Sequence, residues 1–434
     1  MSDWQTKSLK NLADIRVSNV DKKSIPSEKV VKLCNYMDVY SNDYITSNIT
    51  FMEATANLAE VAKFKVELGD VIITKDSESP DDIGIPSVVT DHIENLVCGY
   101  HLALIKPNLR LVDPVFLCKQ LASENIANYF AKYAAGSTRY GLAYRAIEGT
   151  SVSFPPIKFQ KKIATILSTI DTAIEKTEAL IAKYQQIKAG LMHDLFTRGV
   201  LPNGQLRPSR KQAPELYQKT TIDWIPKGWK ELQIKNILTK AEYGISESLT
   251  DSTSGIPVLR MNNIQNGSFD VKDMKYAHSI DAYRLRLKAG DVLYNRTNSM
   301  EHVGKAARWQ DELPECSFAS YLVRLNLDSA LIRSDFFTYW LNQVSAQQAL
   351  RRYATPAVQQ VNINPTNLQK VLIAIPHNLE EQAAVASIIS GVDKKIDSEK
   401  LTLNKLAQQK LGLMQDLLTG QVPVTVDEPE AAHG

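Results

Sequence analysis

Two stretches of the chain place a mostly apolar set of residues at steps of three and four. In the first these are Ile163, Ile166, Ile170, Ile174, Thr177, Ile181, Tyr184, Lys188, Leu191 and Leu195. In the second they are Val385, Ile388, Val392, Ile396, Glu399, Leu403, Leu406, Lys410, Leu413 and Leu417. This spacing predicts two long helices, each with a heptad-like seam and a polar break near its middle. Pro155-Pro156 and Pro376 stand before them, and Gly199 and Gly420 close them, as start and stop signals should. Roughly 40 residues rising about 1.5 Å each make a rod of roughly 60 Å. Elsewhere the pattern shortens. Ile256–Arg260, Asp291–Tyr294 and Val71–Thr74 are β-branched or aromatic runs, predicted as strands. Asp335–Ala349 is predicted helical, with Phe336, Phe337, Trp340, Leu341 and Val344 on one face, and Val115–Phe130 is its counterpart.

The chain repeats itself. Asp171 aligns with Asp393 and Leu191-Met192 with Leu413-Met414, both 222 positions apart (393 − 171, 413 − 191), with no gap between them. Polar identities such as Lys183/Lys405, Lys188/Lys410 and Asp194/Asp416 stay in register, which apolar periodicity alone would not produce. Trp4–Leu12 resembles Trp229–Ile237, Gly69-Asp70-Val71-Ile72 resembles Gly290-Asp291-Val292-Leu293, and Tyr133-Ala134 resembles Tyr353-Ala354. The period is too long for a solenoid and reads as a tandem duplication. The expected class is α/β (α+β): two similar mixed domains separated by two long helices, a pseudo-twofold internal repeat. Two core helices, each packed on its own globular half, is the plainer reading. An antiparallel coiled coil serving as a spacer fits better, because the seam runs the whole length. The expected boundaries are 1–153 and 223–375 for the globular domains, 154–200 and 376–420 for the helices, 201–222 for a linker and 421–434 for a disordered tail. The linker expectation rests on prolines among basic residues (Pro202, Pro208, Pro214, Arg207, Arg210, Lys211) and the tail on Asp427-Glu428-Pro429-Glu430.

Composition changes this picture little. With 434 residues the chain is too long for one ordinary core. Its 44% hydrophobic and 23% charged residues are those of a soluble globular protein. No apolar run approaches the ~18 residues of a membrane span, and no signal peptide is expected. Cys34, Cys98, Cys118 and Cys316 are scattered without Cys-x-x-Cys, so neither a disulfide framework nor a zinc site is expected, and a reducing cytoplasm fits. The net charge of +2 is compatible with a nucleic-acid reader whose basic residues are gathered on one face.

A search for catalytic motifs finds none. Gly304-Lys305 lacks the rest of a phosphate loop, and Asn364-Pro365-Thr366-Asn367 only approaches the Asn-Pro-Pro-aromatic tetrapeptide of an amino-methyltransferase. His-Glu-x-x-His and Gly-x-Ser-x-Gly are missing too. No catalytic residue and no metal site is expected. Candidate DNA contacts are Arg, Lys, Asn and Gln near turns, the residue types that supply most base-edge and phosphate contacts. In the second half they are Arg260, Asn262 and Asn263; the loop Asn295, Arg296, Thr297 and Asn298; Arg351 and Arg352; and Gln359 and Gln360. In the first half they are Lys32, Asn35, Tyr36, Lys75, Arg139 and Tyr140. The Asn295–Asn298 loop is the strongest candidate. For any single residue a solvated surface role competes with DNA contact. The two halves differ most in these loops, as reading two different half-sites would require.

These features resemble the specificity subunit of type I restriction-modification enzymes. The resemblance rests on a Trp-initiated domain, Gly-Asp-Val-Ile/Leu after a short strand, Pro-Pro-Ile-Lys-Phe-Gln160 leading into Ile-Ala-Thr-Ile-Leu-Ser-Thr-Ile-Asp171, and a helix ending in Gly-Leu-Met-His-Asp-Leu-Phe-Thr197, all occurring twice. One departure is that the Glu-Gln usual before the helix is Phe159-Gln160 in the first copy and Glu381-Gln382 in the second. The resemblance implies a non-catalytic DNA specificity subunit reading a bipartite, asymmetric double-stranded target through two target-recognition domains. It implies helices that set the half-site spacing. It also implies two modification (methyltransferase) subunits and two restriction (motor-nuclease) subunits as partners. S-adenosylmethionine, ATP and Mg would belong to those partners, with no cofactor in this chain and no membrane association. On the residues alone two other classes stay open: a coiled-coil scaffold, and a methyltransferase or nuclease with degenerate motifs.

Overall fold

The computed structural model describes residues 4–357 and 360–426; Gln359 and residues 427–434 of the tail lie outside the described residues. The chain divides into two compact units, residues 4–178 with 401–426, and residues 179–400. The long helices, Ile157–Arg198 and Leu379–Leu418, are each continuous and contribute one half to each unit. Among the described residues no helix is long and apolar enough to cross a membrane.

The first unit is built on a five-stranded sheet in the order Ala13–Val17, Leu102–Pro107, Val71–Thr74, Pro86–Val89, Tyr44–Ile45. The second repeats four of these in the same order, as Leu238–Tyr243, Leu322–Leu327, Val292–Asn295 and Ala306–Arg308. The inner strands Val71–Thr74 and Val292–Asn295 are buried at every position, which explains their unbroken apolar runs. Alternate side chains serve two cores. Val71 and Ile73 face the helices, while Ile72 faces a second, three-stranded sheet with Leu33 and Val97. Val292 and Tyr294 likewise face the helices, and Leu293 packs with Trp309 and Phe318. The repeated Gly-Asp is a turn that starts these strands. Gly69 and Gly290 take φ of +85° and +94°, a region that favours glycine, and the following carboxylate accepts the amide of Glu67 (2.7 Å) or Lys288 (3.0 Å).

Each globular unit is closed by an antiparallel pair that includes the strand leading into the long helix: Gln5–Ser8 with Ser151–Phe154, and Trp229–Gln233 with Leu372–Pro376. A buried glutamine then ties the helix to that closure. Gln160 accepts from the Asp113 amide (2.9 Å) and donates to the carbonyls of Leu111 (3.0 Å) and Pro155 (2.8 Å). Gln382 does the same with the Arg333 amide (2.9 Å) and the carbonyls of Leu331 (2.9 Å) and Pro376 (3.1 Å). The glutamine is thus the element that the Phe-Gln and Glu-Gln pairs share. Glu381 has separate work. It accepts from the Trp229 indole (3.1 Å), the Val200 amide (3.1 Å) and Arg207 (3.0 Å), around the left-handed Gly199 that ends the first helix.

Within each unit the two helix segments run antiparallel. In the first, Leu167 lies in one cluster with Leu417 and Leu418, while Asp171 pairs with Lys410 at 2.7 Å. In the second, Lys188 pairs with Asp393 at 2.6 Å, while the Val200 amide meets Glu381. No seam position is exposed. The segments also pack on the globular core of the unit they belong to; since each helix is divided between the two units, neither is packed on its own globular half alone, and the paired seams are those of an antiparallel coiled coil. Asp171 is additionally bound by Lys119 (2.7 Å) and by the Tyr44 hydroxyl (2.6 Å), and Asp43 accepts from both Lys119 (2.9 Å) and Lys410 (2.8 Å). Burial alone would push the Asp43 carboxyl up, but the two lysine charges outweigh it and bring it down to about 2. At Asp171 burial is outweighed in the same way by Lys119, Lys410 and Tyr44, and its carboxyl is lowered. In the second unit Tyr339 replaces the lysine, its hydroxyl donating to Asp393 at 3.0 Å.

Some expected elements differ. The helix expected over Asp335–Ala349 is two, Ser334–Asn342 and Val344–Arg351, because Gln343 is extended (ψ 155°). Val344 begins the second and is 71% exposed, so it leaves the apolar face assigned to it. The counterpart is likewise divided, Pro114–Leu121 and Glu124–Tyr133. The proline-rich 201–222 segment is folded within the second unit. Tyr217–Lys219 pairs with Trp224–Pro226, the Tyr217 hydroxyl donates to the Pro208 carbonyl (2.7 Å), and Arg207 reaches the first helix end at the Arg198 carbonyl.

Candidate nucleic-acid interface

Both units place a cation at the same point, where the buried inner strand leaves the sheet. In the first unit this is Lys75. Its amide donates to the His101 carbonyl (3.0 Å), and its carbonyl accepts from Leu142 (2.8 Å). Its ammonium lies 4.9 Å from the Tyr100 ring centre and is paired with Asp76 at 2.7 Å. In the second unit the residue is Arg296, whose amide donates to the Tyr321 carbonyl (3.0 Å) and whose carbonyl accepts from Ile363 (2.8 Å). Its guanidinium lies 5.1 Å from the Tyr243 ring and 6.0 Å from that of Tyr321, and Nε donates to the Ser320 carbonyl (2.8 Å). A cation on an aromatic face is held electrostatically and loses side-chain freedom.

Small three-stranded sheets surround these seats. Thr297–Asn298 pairs with Gln360–Asn362, which pairs with Thr355–Ala357; Asp76–Ser77 pairs with Tyr140–Leu142, which pairs with Ala134–Gly136. The expected Asn295–Asn298 loop is therefore a strand-to-strand passage. It brings Arg296, Asn298 and Gln360 onto one small sheet, and Arg351 reaches the adjoining turn by donating to the Glu301 carbonyl (3.1 Å). In the first unit the same sheet gathers Lys75 and Tyr140, with Arg139 exposed beside it. Tyr36 stacks on Tyr40 with ring centres 5.4 Å apart.

Other candidates have structural roles or lie apart. Asn295 is 2% exposed, its side chain inside the strand ladder, and Thr297 is buried with its hydroxyl accepting from Asn362 (2.8 Å). Asn263 is buried and caps its own turn, accepting from the Arg260 amide (2.8 Å) and donating to the Asp270 carbonyl (2.7 Å). These three side chains are not presented at the surface, contrary to the expectation: strand alternation turns Asn295 and Thr297 inward, and Asn263 is consumed by the turn it closes. Arg260 is paired with Asp273 at 2.8 Å, Asn35 caps the helix Tyr36–Tyr40, and Lys32, Asn262 and Arg352 are exposed on other elements. Sequence reasoning missed Tyr100, Tyr243 and Tyr321, exposed by 48%, 49% and 45%. The only signal for them was an aromatic residue at the end of a strand (Tyr243) or just before the start of one (Tyr100, Tyr321).

The arrangement can offer donors to an anionic or polar edge. Among the described residues no group of His, Cys, Asp or Glu is placed to hold a metal ion. All four cysteines are buried and free, and burial pushes the Cys118 and Cys316 thiols up to about 12.

A family model described as the type I restriction modification DNA specificity domain matches residues 1–186 and 226–408. The chain is 29% identical over 208 residues to the putative type I restriction enzyme MjaX specificity subunit of Methanocaldococcus jannaschii, covering 47% of this chain and 49% of that one. It is 21% identical over 390 residues to the type I restriction enzyme EcoKI specificity subunit of Escherichia coli K12, covering 88% and 79%. The match to the first of these relatives thus spans about half of that relative's length. The fold is similar to that of a type I restriction-modification S subunit from M. genitalium, with a TM-score of 0.57, 14% identity and 96% of each chain covered.

Proposed function

The chain belongs to the type I restriction-modification DNA specificity family, matched in both halves, and from that premise we propose that it is the sequence-reading, non-catalytic subunit of a modification and restriction complex. Its two globular domains read the two halves of a split, asymmetric double-stranded DNA target. The paired helices set the distance between the halves; half-site centres one DNA turn apart lie about 34 Å from each other, within reach of a rod of this length. Two modification subunits supply S-adenosylmethionine and methylate an adenine in each half-site. Two motor-nuclease subunits supply the ATP- and Mg-dependent restriction. The protein works in the cytoplasm with these partners.

One observation supports this reading above the others: the same framework is built twice, down to the buried Gln160 and Gln382, while the side chains around the two cationic seats differ. A duplicated frame with diverged surface residues fits two readers of different sequence. The test is a genome-wide map of N6-methyladenine in cells expressing the chain with its modification subunit. The expected result is a split asymmetric motif, methylated in both halves, that disappears when the chain is omitted. Methylation indifferent to the chain would overturn the proposal.

A further inference from the structure

Resting on that reading, we infer that Arg296 reads a guanine in the half-site of the second globular domain. Arg296 is fixed at four points: two backbone hydrogen bonds, its Nε on the Ser320 carbonyl, and a guanidinium set against Tyr243 and Tyr321. Among the described residues no carboxylate pairs with it, and its two terminal nitrogens have no hydrogen-bond partner. Several other arginines of this unit are already paired with carboxylates. Arg260 is bound by Asp273, Arg324 by Glu242 and Asp291, Arg333 by Asp335, and Arg286 by Glu315.

What remains free on Arg296 is a rigid fork of donors. Such a fork matches the O6 and N7 acceptors of guanine in the major groove. A phosphate would accept it too, but a phosphate contact needs neither a fixed plane nor amide neighbours. Here the plane is fixed by two rings, and the residues beside it on the small sheet are the neutral Asn298 and Gln360, of the types that read base edges. The copy at Lys75 shows what the seat is without a fork: the same backbone clamps hold a point charge already neutralised by Asp76. The seat belongs to the framework, and the residue in it to the sequence being read.

The test uses the complete complex with its modification subunit, in two steps. First, the methylated motif is mapped for the wild type and for Arg296→Lys and Arg296→Ala. One guanine position of one half-site should become degenerate in both variants, including the one that keeps the charge, while the other half-site is unchanged. Second, binding of the wild type and of Arg296→Lys is measured on duplexes carrying 7-deazaguanine at each guanine of that half-site in turn. Loss of N7 at one position should weaken the wild type by roughly tenfold, and Arg296→Lys by little beyond its own loss. This second step does not depend on how Arg296→Ala folds. An unchanged motif in Arg296→Lys, a half-site without guanine, or no position sensitive to 7-deazaguanine would each overturn the inference and leave the specificity-subunit reading standing. Wild-type methylation independent of the chain would remove both.

Discussion

Replacing Gln382 with alanine strands the Arg333 amide and the carbonyls of Leu331 and Pro376 in a site that water does not reach. A buried backbone group left without a partner costs about 1–3 kcal/mol, and some collapse of the site relieves part of it, so a loss on the order of 3 kcal/mol is expected. Urea unfolding monitored by circular dichroism measures it. Gln160→Ala should behave alike in the first unit, since it holds the same three kinds of partner. A loss within experimental error in both would mean that the glutamine clasp is incidental to the fold.

At the scale of elements, the same aspartate is used twice with unequal support. Asp171 is held by Lys119, Lys410 and Tyr44, whereas Asp393 has Lys188 and Tyr339. Asp171→Asn leaves two lysine charges to share the single carboxylate of Asp43, one of them, Lys119, almost wholly buried. Removing one member of a buried ion pair is costly because the other charge stays desolvated. Thermal unfolding should therefore fall further for Asp171→Asn than for Asp393→Asn, and equal falls would refute this ranking. The helices support a second prediction, belonging to the proposed spacing role. Four residues inserted after Ala182 displace the C-terminal part of that helix by about 6 Å along its axis. The methylated motif should then have a longer gap, or methylation should cease. A motif of unchanged spacing would exclude the helices as the ruler.

For the whole molecule, the carboxylates of the helix-anchoring cluster govern the response to acid. Asp43 and Asp171 both have folded values below their ordinary ones, Asp43 at about 2. Groups depressed in this way contribute stability that is fully present above about pH 4 and lost as the pH falls through the folded value. Glu242, lowered to about 2 by its hydrogen bond with Lys240 and its pairing with Arg324, against the effect of burial, adds a contribution of the same sign in the second unit. The urea midpoint should thus decline between about pH 4 and about pH 2, and Asp43→Asn should decline less steeply over that window. An Asp43→Asn curve parallel to the wild type would remove Asp43 from the account.

The seams, the caps at Gly199 and Gly420, the inner strands and the doubled framework were all legible in the sequence. Periodicity and end signals act over a few residues, and a second copy of a chain exposes which positions its framework retains. The sequence also singled out the Asn295–Asn298 segment that carries Arg296. It left open what Arg296 touches, because Tyr243 comes to it from another strand, and Ser320 and Tyr321 from the turn before one, rather than from nearby in the chain. Tertiary structure likewise decided that Asn263, Asn295 and Thr297 turn inward, that Gln343 breaks a helix its neighbours would have continued, and that the 201–222 segment is folded within its unit. Local pattern is written by the backbone's own geometry. Which polar groups remain free to meet a ligand is settled only when distant segments have taken the partners they need.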